Sequence, residues 1–316
     1  MTQVERLNYL VHYLLSENKQ YQYFSIPSNE TDKKRLLRSL MNVRPPKEIS
    51  QEFLDIQDLY LQEELQNQNI TSLKDLSYKK AQVYLRKGDI TKLKVDAIVN
   101  AGNSALLGCF IPCHGCIDNA IHSYAGIQLR LECNKIMERQ GTPELTGKAK
   151  ITHGYNLPAK YVLHTVGPIV QGKLREEDCM LLASCYRSCL ELADAYKLKS
   201  IAFCCISTGE FHFPNDIAGE IAVDTVERYL KETKYPPKVS PPPIYGILEK
   251  RQINTGARFV TRAPVLRIFY KSSTVILSSL GRLGDQGRRS PTSSLFIFSI
   301  VYLRYCSIFK PLALAV

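Results

Sequence analysis

The amino-acid sequence predicts an α/β protein in which a mixed central sheet is covered by helices on both faces, with a helical extension at the N-terminus. From about residue 82, short apolar runs typical of strands alternate with longer stretches that carry apolar residues at helical spacing. Several strand runs are apolar at successive positions, as expected of strands buried on both faces. The chain has 316 residues and is 45% hydrophobic, so it can bury a substantial core.

Residues 1–80 are predicted to form an N-terminal helical region. Ser50 follows two prolines and is a suitable N-cap, and Glu52 falls in the first turn of the helix that Ser50 would begin. No polar cluster in this region indicates chemistry, so we expect a helical layer packed on the rest of the protein. Its apolar stripes are Val4, Leu7, Val11 and Leu14, then Leu36, Leu37, Leu40 and Met41, then Phe53, Ile56 and Tyr60.

Residues 81–239 are predicted to form the α/β body. In sheets of this kind, ligands bind at the C-terminal ends of the strands, where loops meet the N-termini of helices. The predicted strands are 82–85, 96–100, 148–154, 161–166 and 200–207, and the predicted helices are 117–139, 178–196 and 215–231.

Residues 240–316 are predicted to be an atypical tail, disordered or non-native. Prolines follow one another at 241–243, and proline cannot donate hydrogen bonds to a central sheet. The last apolar segment is interrupted by Arg304 and Lys310, which makes it too short and too charged for a membrane span. We therefore expect no membrane association.

The positive charge of the chain is concentrated in this tail. The formal net charge is +11, but 11 of the 41 Lys and Arg residues and only 2 of the 30 Asp and Glu residues lie in 241–316. The remainder, with 30 basic and 28 acidic residues, is nearly neutral. No nucleic-acid partner is therefore expected of the folded body.

The cysteine content points to metal or thiol chemistry in a reducing compartment. The chain has ten cysteines, and its N-terminus, MTQVERLNYLVHYLL, lacks the apolar core and cleavage site of a secretory signal. A cytoplasmic location is expected, where clustered cysteines more often bind metals than form disulfides.

The stretch GCFIPCHGC, residues 108–116, is the candidate metal site. Cys109, Cys113, His114 and Cys116 offer thiolate and imidazole ligands, which suit zinc. A structural zinc site usually takes a second ligand pair from far along the chain, and the sequence has no such pair. Three ligands with an open fourth position would suit catalysis, whereas a fourth bond from Cys113 would make the site structural. The loop could also bind no metal at all.

Three other stretches fall where loops meet the predicted sheet. Asp118 opens the helix after the cysteine cluster, where it could act as a general base or only favour the helix dipole. Asp89 follows a glycine in a turn, where it could accept a hydrogen bond from an adenine amine. The loop from Ser207 through Gly209 to Phe211 leads into a helix and could bind a pyrophosphate through its backbone N–H groups.

Together these motifs resemble the macrodomain family of ADP-ribose-binding proteins, and within it the zinc-dependent protein-ADP-ribose hydrolases. The resemblance covers roughly residues 1–239 and rests on GCFIPCHGCIDNAIH and on the N-terminal stretch LLRSLMNVRPPKEISQEFLDIQDLYLQEE. It implies a three-layer α/β/α macrodomain whose cleft binds ADP-ribose.

The resemblance also implies roles for individual residues. Asp89 and Ile90 would lie at the adenine end of the cleft, and Asn103 near the distal ribose. Asp118 and Asn119 would be catalytic, with Asp118 acting on the water and Asn119 holding ribose hydroxyls. The diphosphate would be bound by Ser207, Thr208, Gly209, Glu210 and Phe211, and Zn²⁺ by Cys109, His114 and Cys116.

The function implied is zinc-dependent hydrolysis of the glycosidic or ester bond that joins ADP-ribose to a modified protein side chain. The zinc would position the substrate more than act as a strong Lewis acid, because bound thiolates reduce its effective charge. An alternative is a module that binds ADP-ribose without cleaving it, and a third hypothesis is a zinc-dependent nucleic-acid-binding protein. Partners would be an ADP-ribosylated protein and ADP-ribose itself.

Overall fold

The computed structural model describes residues 1–21, 23–75, 78–80, 83–84, 88–233 and 245–246. All of these described residues belong to one compact unit. The helices are α1 (Gln3–Ser16), α2 (Glu30–Val43), α3 (Gln51–Gln66), α4 (Ile117–Ala125), α5 (Ile127–Gln140), α6 (Glu176–Ala195) and α7 (Asn215–Glu232). The strands are β1 (Thr71–Ser72), β2 (Tyr78–Lys80), β3 (Val83–Tyr84), β4 (Leu93–Lys94), β5 (Ala97–Gly102), β6 (Ala149–His153), β7 (Tyr161–Val166), β8 (Ile201–Ala202) and β9 (Tyr245–Gly246).

The central sheet has seven strands in the order β2-β3-β9-β8-β5-β7-β6. The five strands from β3 to β7 in this order run parallel, and β2 and β6 are antiparallel to their neighbours. β5 and β7 pair along their full length, with Asn100 beside His164. The C-terminal ends of these two strands therefore lie at the same edge of the sheet.

Helices cover both faces of this sheet. His164 of β7 points towards α5, where its Nε2 atom lies 3.8 Å from Cys133 Sγ. The next residue, Thr165, contacts Cys185 of α6. Because successive side chains of a strand point to opposite faces, α5 and α6 lie on opposite sides of the sheet. α4 packs on β5 and α7 on α6, which completes three layers and confirms the predicted fold class.

The first three helices form a separate layer with its own core. Thr2, Asn29 and Ser50 are their N-caps, each accepting a hydrogen bond from a first-turn backbone N–H, as predicted for Ser50. The apolar residues of this layer pack with Ile127 of α5, so the layer rests on that helix. Its core contains Leu7, Leu10, Val11, Leu14, Leu36, Leu37, Leu40, Met41, Phe53 and Tyr60. Val4, which was expected to belong to this stripe, is exposed instead.

The helix predicted over 117–139 is two helices, because the chain turns sharply at Gly126. This residue has φ +99°, and a Cβ atom there would lie 2.6 Å from the Gln57 side chain. Gln57 Oε1 accepts a hydrogen bond from the backbone N–H of Ile127, so α3 supplies the N-terminal cap of α5. The apolar pattern on which the prediction rested carries no trace of this break, since buried apolar residues stand on both sides of Gly126, at Ala125 and Ile127.

The strand predicted over 200–207 is also shorter than expected. Only Ile201 and Ala202 pair with β5, and residues 203–206 continue as a buried segment towards the loop that follows. An uninterrupted run of apolar residues indicates that a segment is buried, but it does not indicate that the segment pairs with another strand. This explains why the predicted strand was too long. Most of the tail predicted over 240–316 lies outside the described residues, apart from β9, which pairs between β3 and β8. Among the helices that the structure describes, none combines the length and hydropathy that crossing a membrane requires.

Arg130 joins the helical layer to the body. Its side chain is buried and donates hydrogen bonds to the backbone carbonyl groups of Met41, Asn42 and Arg44 at the end of α2, and to that of Leu107. Burial lowers the pKa of Arg130 to about 10, so it remains charged at neutral pH. One cation therefore satisfies four carbonyl groups that α2 and the loop after β5 would otherwise leave unpaired.

The Arg130→Ala variant is expected to lower the free energy of unfolding by roughly 3–5 kcal/mol, because it leaves buried carbonyl groups without donors. The measurement is chemical denaturation followed by circular dichroism. Arg139→Ala is the matched control, since Arg139 is on the same helix, is exposed and donates to the carbonyl of Lys135 within α5. That control should change stability by less than about 0.5 kcal/mol. Equal stabilities for the two variants would show that Arg130 does not join the layers.

Candidate active site

The loop between β5 and α4, residues 103–116, carries the predicted metal ligands and is termed the metal loop. It starts at Asn103, whose side chain donates to the carbonyl of Gly108 at 3.1 Å and accepts from the N–H of Ala105 at 3.0 Å. Leu106 and Cys113 adopt positive φ angles of 55° and 51°, which fold the loop back on itself. The loop ends at Cys116, the N-cap of α4.

Cys109, His114 and Cys116 come together in this loop. Their ligand atoms all lie within 4.8 Å of one another, and Cys109 Sγ is 3.6 Å from His114 Nδ1. All three residues are partly exposed. A tetrahedral zinc ion with Zn–S bonds of about 2.3 Å holds its ligand atoms about 3.8 Å apart, so small side-chain movements would suffice for binding. The two thiols and one imidazole therefore fit a zinc ion with a fourth position open.

A hydrogen bond links the two thiols of this group. Cys116 donates a hydrogen bond to Cys109, and this bond is the main reason that the pKa of Cys109 is lowered to about 6, against the opposing effect of burial. The same bond, together with burial, raises the pKa of Cys116. The pair therefore holds one negative charge near neutral pH, which favours a cation between the two sulfur atoms.

Cys113 points away from these three residues. Its Sγ atom lies 3.3 Å from Ser39 Oγ and 3.5 Å from the carbonyl of Arg35, both on α2. Its backbone N–H donates to Asn42 Oδ1 at 2.9 Å. Cys113 thus anchors the loop to the helical layer, and its position does not favour its acting as a fourth ligand.

Asp118 is buried directly below the loop, in the first turn of α4. Its Oδ1 atom accepts a hydrogen bond of 2.8 Å from Asn100 Nδ2. Burial raises the pKa of Asp118 to about 7, and the hydrogen bond from Asn100 limits the rise. His122 Nε2 lies 3.5 Å from Oδ1, but burial lowers the pKa of His122 well below its usual value, so the ring is neutral.

Asn100 is itself held by a buried histidine. His164 is fully buried, and burial lowers its pKa to about 3, so it is neutral. Its Nδ1 atom lies 3.1 Å from Asn100 Nδ2, and its Nε2 atom lies 2.9 Å from Thr152 Oγ1. The network assigns the proton to Nε2, with Nδ1 accepting from the Asn100 amide. The row Thr152, His164, Asn100 and Asp118 therefore fixes the carboxylate from beneath.

Asn119 is fully buried, and its side chain is engaged within the protein. Its amide donates to the carbonyl groups of Ile111, at 2.9 Å, and Cys109, at 3.4 Å. Its Oδ1 atom accepts from Arg38 of α2, at 2.7 Å from Nη2. These contacts of the Asn119 side chain hold the metal loop in place. The family resemblance implies a different role for this side chain, a contact with ribose hydroxyls.

Asp89 and Ile90 begin a 3₁₀ turn, Ile90–Lys92, on the body. Asp89 Oδ1 accepts from the N–H and the hydroxyl of Thr91, at 3.0 and 2.6 Å, and Oδ2 lies 4.0 Å from Lys92 Nζ. Both contacts with Thr91 thus involve Oδ1, and they hold the turn in place. Oδ2 takes no part in them. Ile90 is buried in the main core.

The loop from Ser207 to Phe211 is tightly folded and borders the metal loop. Ser207 has φ 64° and is buried, and Thr208 closes a turn onto the carbonyl of Cys205. Within the part of the chain that the structure describes, the N–H groups of residues 209–211 have no hydrogen-bond acceptor. Such a row of N–H groups can bind an anion. Glu210 reaches the metal loop, with Oε1 3.7 Å from His114 Nε2.

The structure thus brings the predicted ligands, Asp118 and the 207–211 loop to one region, where His114 contacts Glu210. Asn103 and Asn119 use their side chains to shape the metal loop. Sequence reasoning missed Asn100, His164 and Arg38. Asn100 and His164 are polar residues inside apolar strand runs, which could have indicated a role, but nothing in the spacing of α2 singles out Arg38.

Comparison with known proteins agrees with this fold. A family model described as Macro domain matches residues 99–222. A protein-ADP-ribose hydrolase from Treponema medium is 58% identical over 231 residues, which are 72% of this chain and 88% of that protein. One from Staphylococcus aureus (strain MRSA252) is 52% identical over 239 residues, 74% of this chain and 88% of that protein.

A solved structure gives the same class of fold. The Trypanosoma brucei macrodomain in complex with ADP-ribose aligns with a TM-score of 0.50 and 31% identity, covering 66% of this chain and 88% of that one. The sheet, its helices and the loop into α4 thus define a macrodomain. Within that class, the chain belongs to the protein-ADP-ribose hydrolase family.

Proposed function

We propose that this protein is a zinc-dependent hydrolase that removes ADP-ribose from modified protein side chains. The observation that carries the proposal is that the ligand atoms of Cys109, His114 and Cys116 lie within 4.8 Å of one another. The buried Asp118 follows Cys116 by two residues in the chain. A donor set of two thiols and one imidazole suits zinc, and three protein ligands leave a position for substrate or water. The names of the bacterial relatives and the ADP-ribose complex of the trypanosomal macrodomain support the substrate class.

The nucleotide would lie across the C-terminal edge of the sheet. The Oδ2 atom of Asp89 would accept a hydrogen bond from the adenine amine beside Ile90, since Oδ1 is occupied by Thr91. The N–H groups of Gly209, Glu210 and Phe211 would bind the diphosphate, with Ser207 and Thr208 setting the shape of their loop. The distal ribose would then face Asn103 and the metal loop.

Hydrolysis breaks the bond between the anomeric carbon of the distal ribose and the protein side chain, and forms a bond from that carbon to a water oxygen. Asp118 would orient this water and accept its proton, because Asn100 holds the carboxylate in one orientation. The departing side chain takes up a proton. When bound, the zinc ion would position the distal ribose or the water, with its charge reduced by the two thiolates.

Removal of the metal is the first test. Cys109→Ser is expected to lose zinc and to lower hydrolysis of an ADP-ribosylated protein by on the order of 100-fold or more, because one of three ligands is gone. Metal content by mass spectrometry and turnover are both measured. Cys113→Ser is the matched control, because this thiol contacts α2, and it should keep both zinc and activity. Turnover by Cys109→Ser at the parent rate would contradict a role for zinc in catalysis.

Replacement of the buried carboxylate separates a hydrolase from a binding module. Asp118→Asn is nearly isosteric and is expected to lower kcat by about 10²–10⁴-fold while calorimetry still detects ADP-ribose binding. Asp224→Asn, at an exposed position of α7, serves as the control and should behave like the parent protein. If the parent binds ADP-ribose tightly but releases none from a modified protein, the non-catalytic alternative is correct.

The diphosphate loop is tested at Gly167, which packs against it. A Cβ atom at Gly167 would lie 2.0 Å from Ser207 Oγ and 2.8 Å from Ile206 Cγ2, so the loop must shift. Gly167→Ala is expected to weaken ADP-ribose binding by about tenfold or more, corresponding to a strain of 1–3 kcal/mol. Gly219→Ala, where a Cβ atom meets nothing within 4 Å, should bind as the parent does. If calorimetry gives Gly167→Ala and the parent protein equal affinities for ADP-ribose, the 207–211 loop is not part of the binding site.

A further inference from the structure

We propose that Arg38 of the helical layer is a positioning residue for the metal site, so that α2 preforms the loop that would bind zinc. This inference rests on the proposed function, because it concerns how tightly that site holds its metal. It assigns a role in the site to a helix outside the residues that the Macro domain model matches.

Arg38 reaches the loop through three hydrogen bonds. Its Nη2 atom donates to Asn119 Oδ1 at 2.7 Å and to the carbonyl of the ligand His114 at 3.3 Å. Its Nε atom donates to the same Oδ1 atom at 3.3 Å. A planar guanidinium can make these bonds together, and bonds from a charged donor are stronger than neutral ones.

Asn119 passes this restraint to the rest of the loop. With Oδ1 held by Arg38, its amide must point the other way, towards the carbonyl groups of Cys109 and Ile111. Its backbone N–H donates to Cys116 Sγ at 3.4 Å. Each of the three ligand residues is therefore tied to Arg38 directly or through Asn119.

The helix that carries Arg38 is itself fixed in place. Leu37 and Leu40, on either side of it in α2, are buried in the core of the helical layer. One turn further along, Asn42 accepts from the N–H of Cys113 and donates to Ser123 of α4. The layer thus contacts the ligand-bearing segment at Cys113 and His114, and the helix that follows it at Asn119 and Ser123.

A preformed loop binds metal more tightly, because the ligands do not lose conformational freedom at the moment of binding. Residues that orient metal ligands from outside typically change affinity by about 10–100-fold. Arg38 is also a cation near a proposed cation site. Loss of its charge alone would make zinc binding tighter, whereas loss of its positioning would make binding weaker, so the sign of the change separates the two effects.

The experiment measures zinc affinity by competition with a chromophoric chelator for the full chain and three variants. Arg38→Ala is expected to bind zinc about 10–100-fold more weakly than the parent. Arg38→Lys, which keeps the charge but not the fork of donors, should also bind more weakly. Lys34→Ala is the control on the same helix, because Lys34 pairs with Glu30 and Glu64 away from the loop, and it should leave zinc affinity unchanged.

Thermal melting in the presence of EDTA shows whether each variant folds, and Arg38→Lys keeps the test informative if Arg38→Ala does not fold. Unchanged or tighter zinc binding by a folded Arg38 variant overturns the inference. A parent protein that binds no zinc overturns the proposed function instead, so the two failures are distinguishable.

Discussion

The double role of Cys116, as a proposed metal ligand and as the N-cap of α4, is the constraint on which the rest of the site depends. Its sulfur accepts the N–H of Asn119 and so caps α4, while the same atom lies within 4.8 Å of the other two ligand atoms. A helix start needs an acceptor at this position, and a metal site needs a thiolate there. Because one atom serves both, the metal loop and Asp118, two residues further on, cannot move independently. The start of α4 thus places Asp118 next in the chain to the proposed metal ligands, and the hydrogen bond from Asn100 orients its carboxylate.

The helical layer belongs to the site more than its sequence indicates. Residues 1–80 were predicted to be only a packing layer because they contain no cluster of reactive groups. In the structure this layer contributes Gln57 as the cap of α5, Asn42 as an anchor of the loop, and Arg38 as a donor to it. These are ordinary polar residues whose contacts lie 70 or more positions away along the chain. Local pattern carries no information about such partners, which is why sequence reasoning missed them.

Much of the fold was predictable because the buried residues of a helix or a strand recur at a regular spacing in the sequence. The bounds of α6 and α7 and of β7 agree with the predictions within two residues, since each element is long and presents a single apolar face or run. The break at Gly126 and the short β8 were missed, because a glycine inside a continuous apolar stripe and a buried segment without pairing look the same as regular structure. For the site, the ligand cluster was visible because four metal-ligating residues within eight positions are rare by chance. Which of the four converge depended on backbone turns at Leu106 and Cys113 that spacing does not encode.

The buried row beneath Asp118 fixes the orientation of its carboxylate through hydrogen bonds between neutral groups. A nearby cation favours the ionised form of a carboxylate, and the charge of Arg130 acts on Asp118 in this direction, but burial outweighs it and raises the pKa of Asp118 to about 7. The two buried histidines beside this carboxylate, His164 and His122, are neutral, because burial lowers the pKa of both. Asn100 therefore supplies the direct hydrogen bond, and His164 and Thr152 set which way its amide faces. A neutral, fully buried row keeps the carboxylate in place while leaving it free to exchange a proton with whatever lies above it at the metal loop.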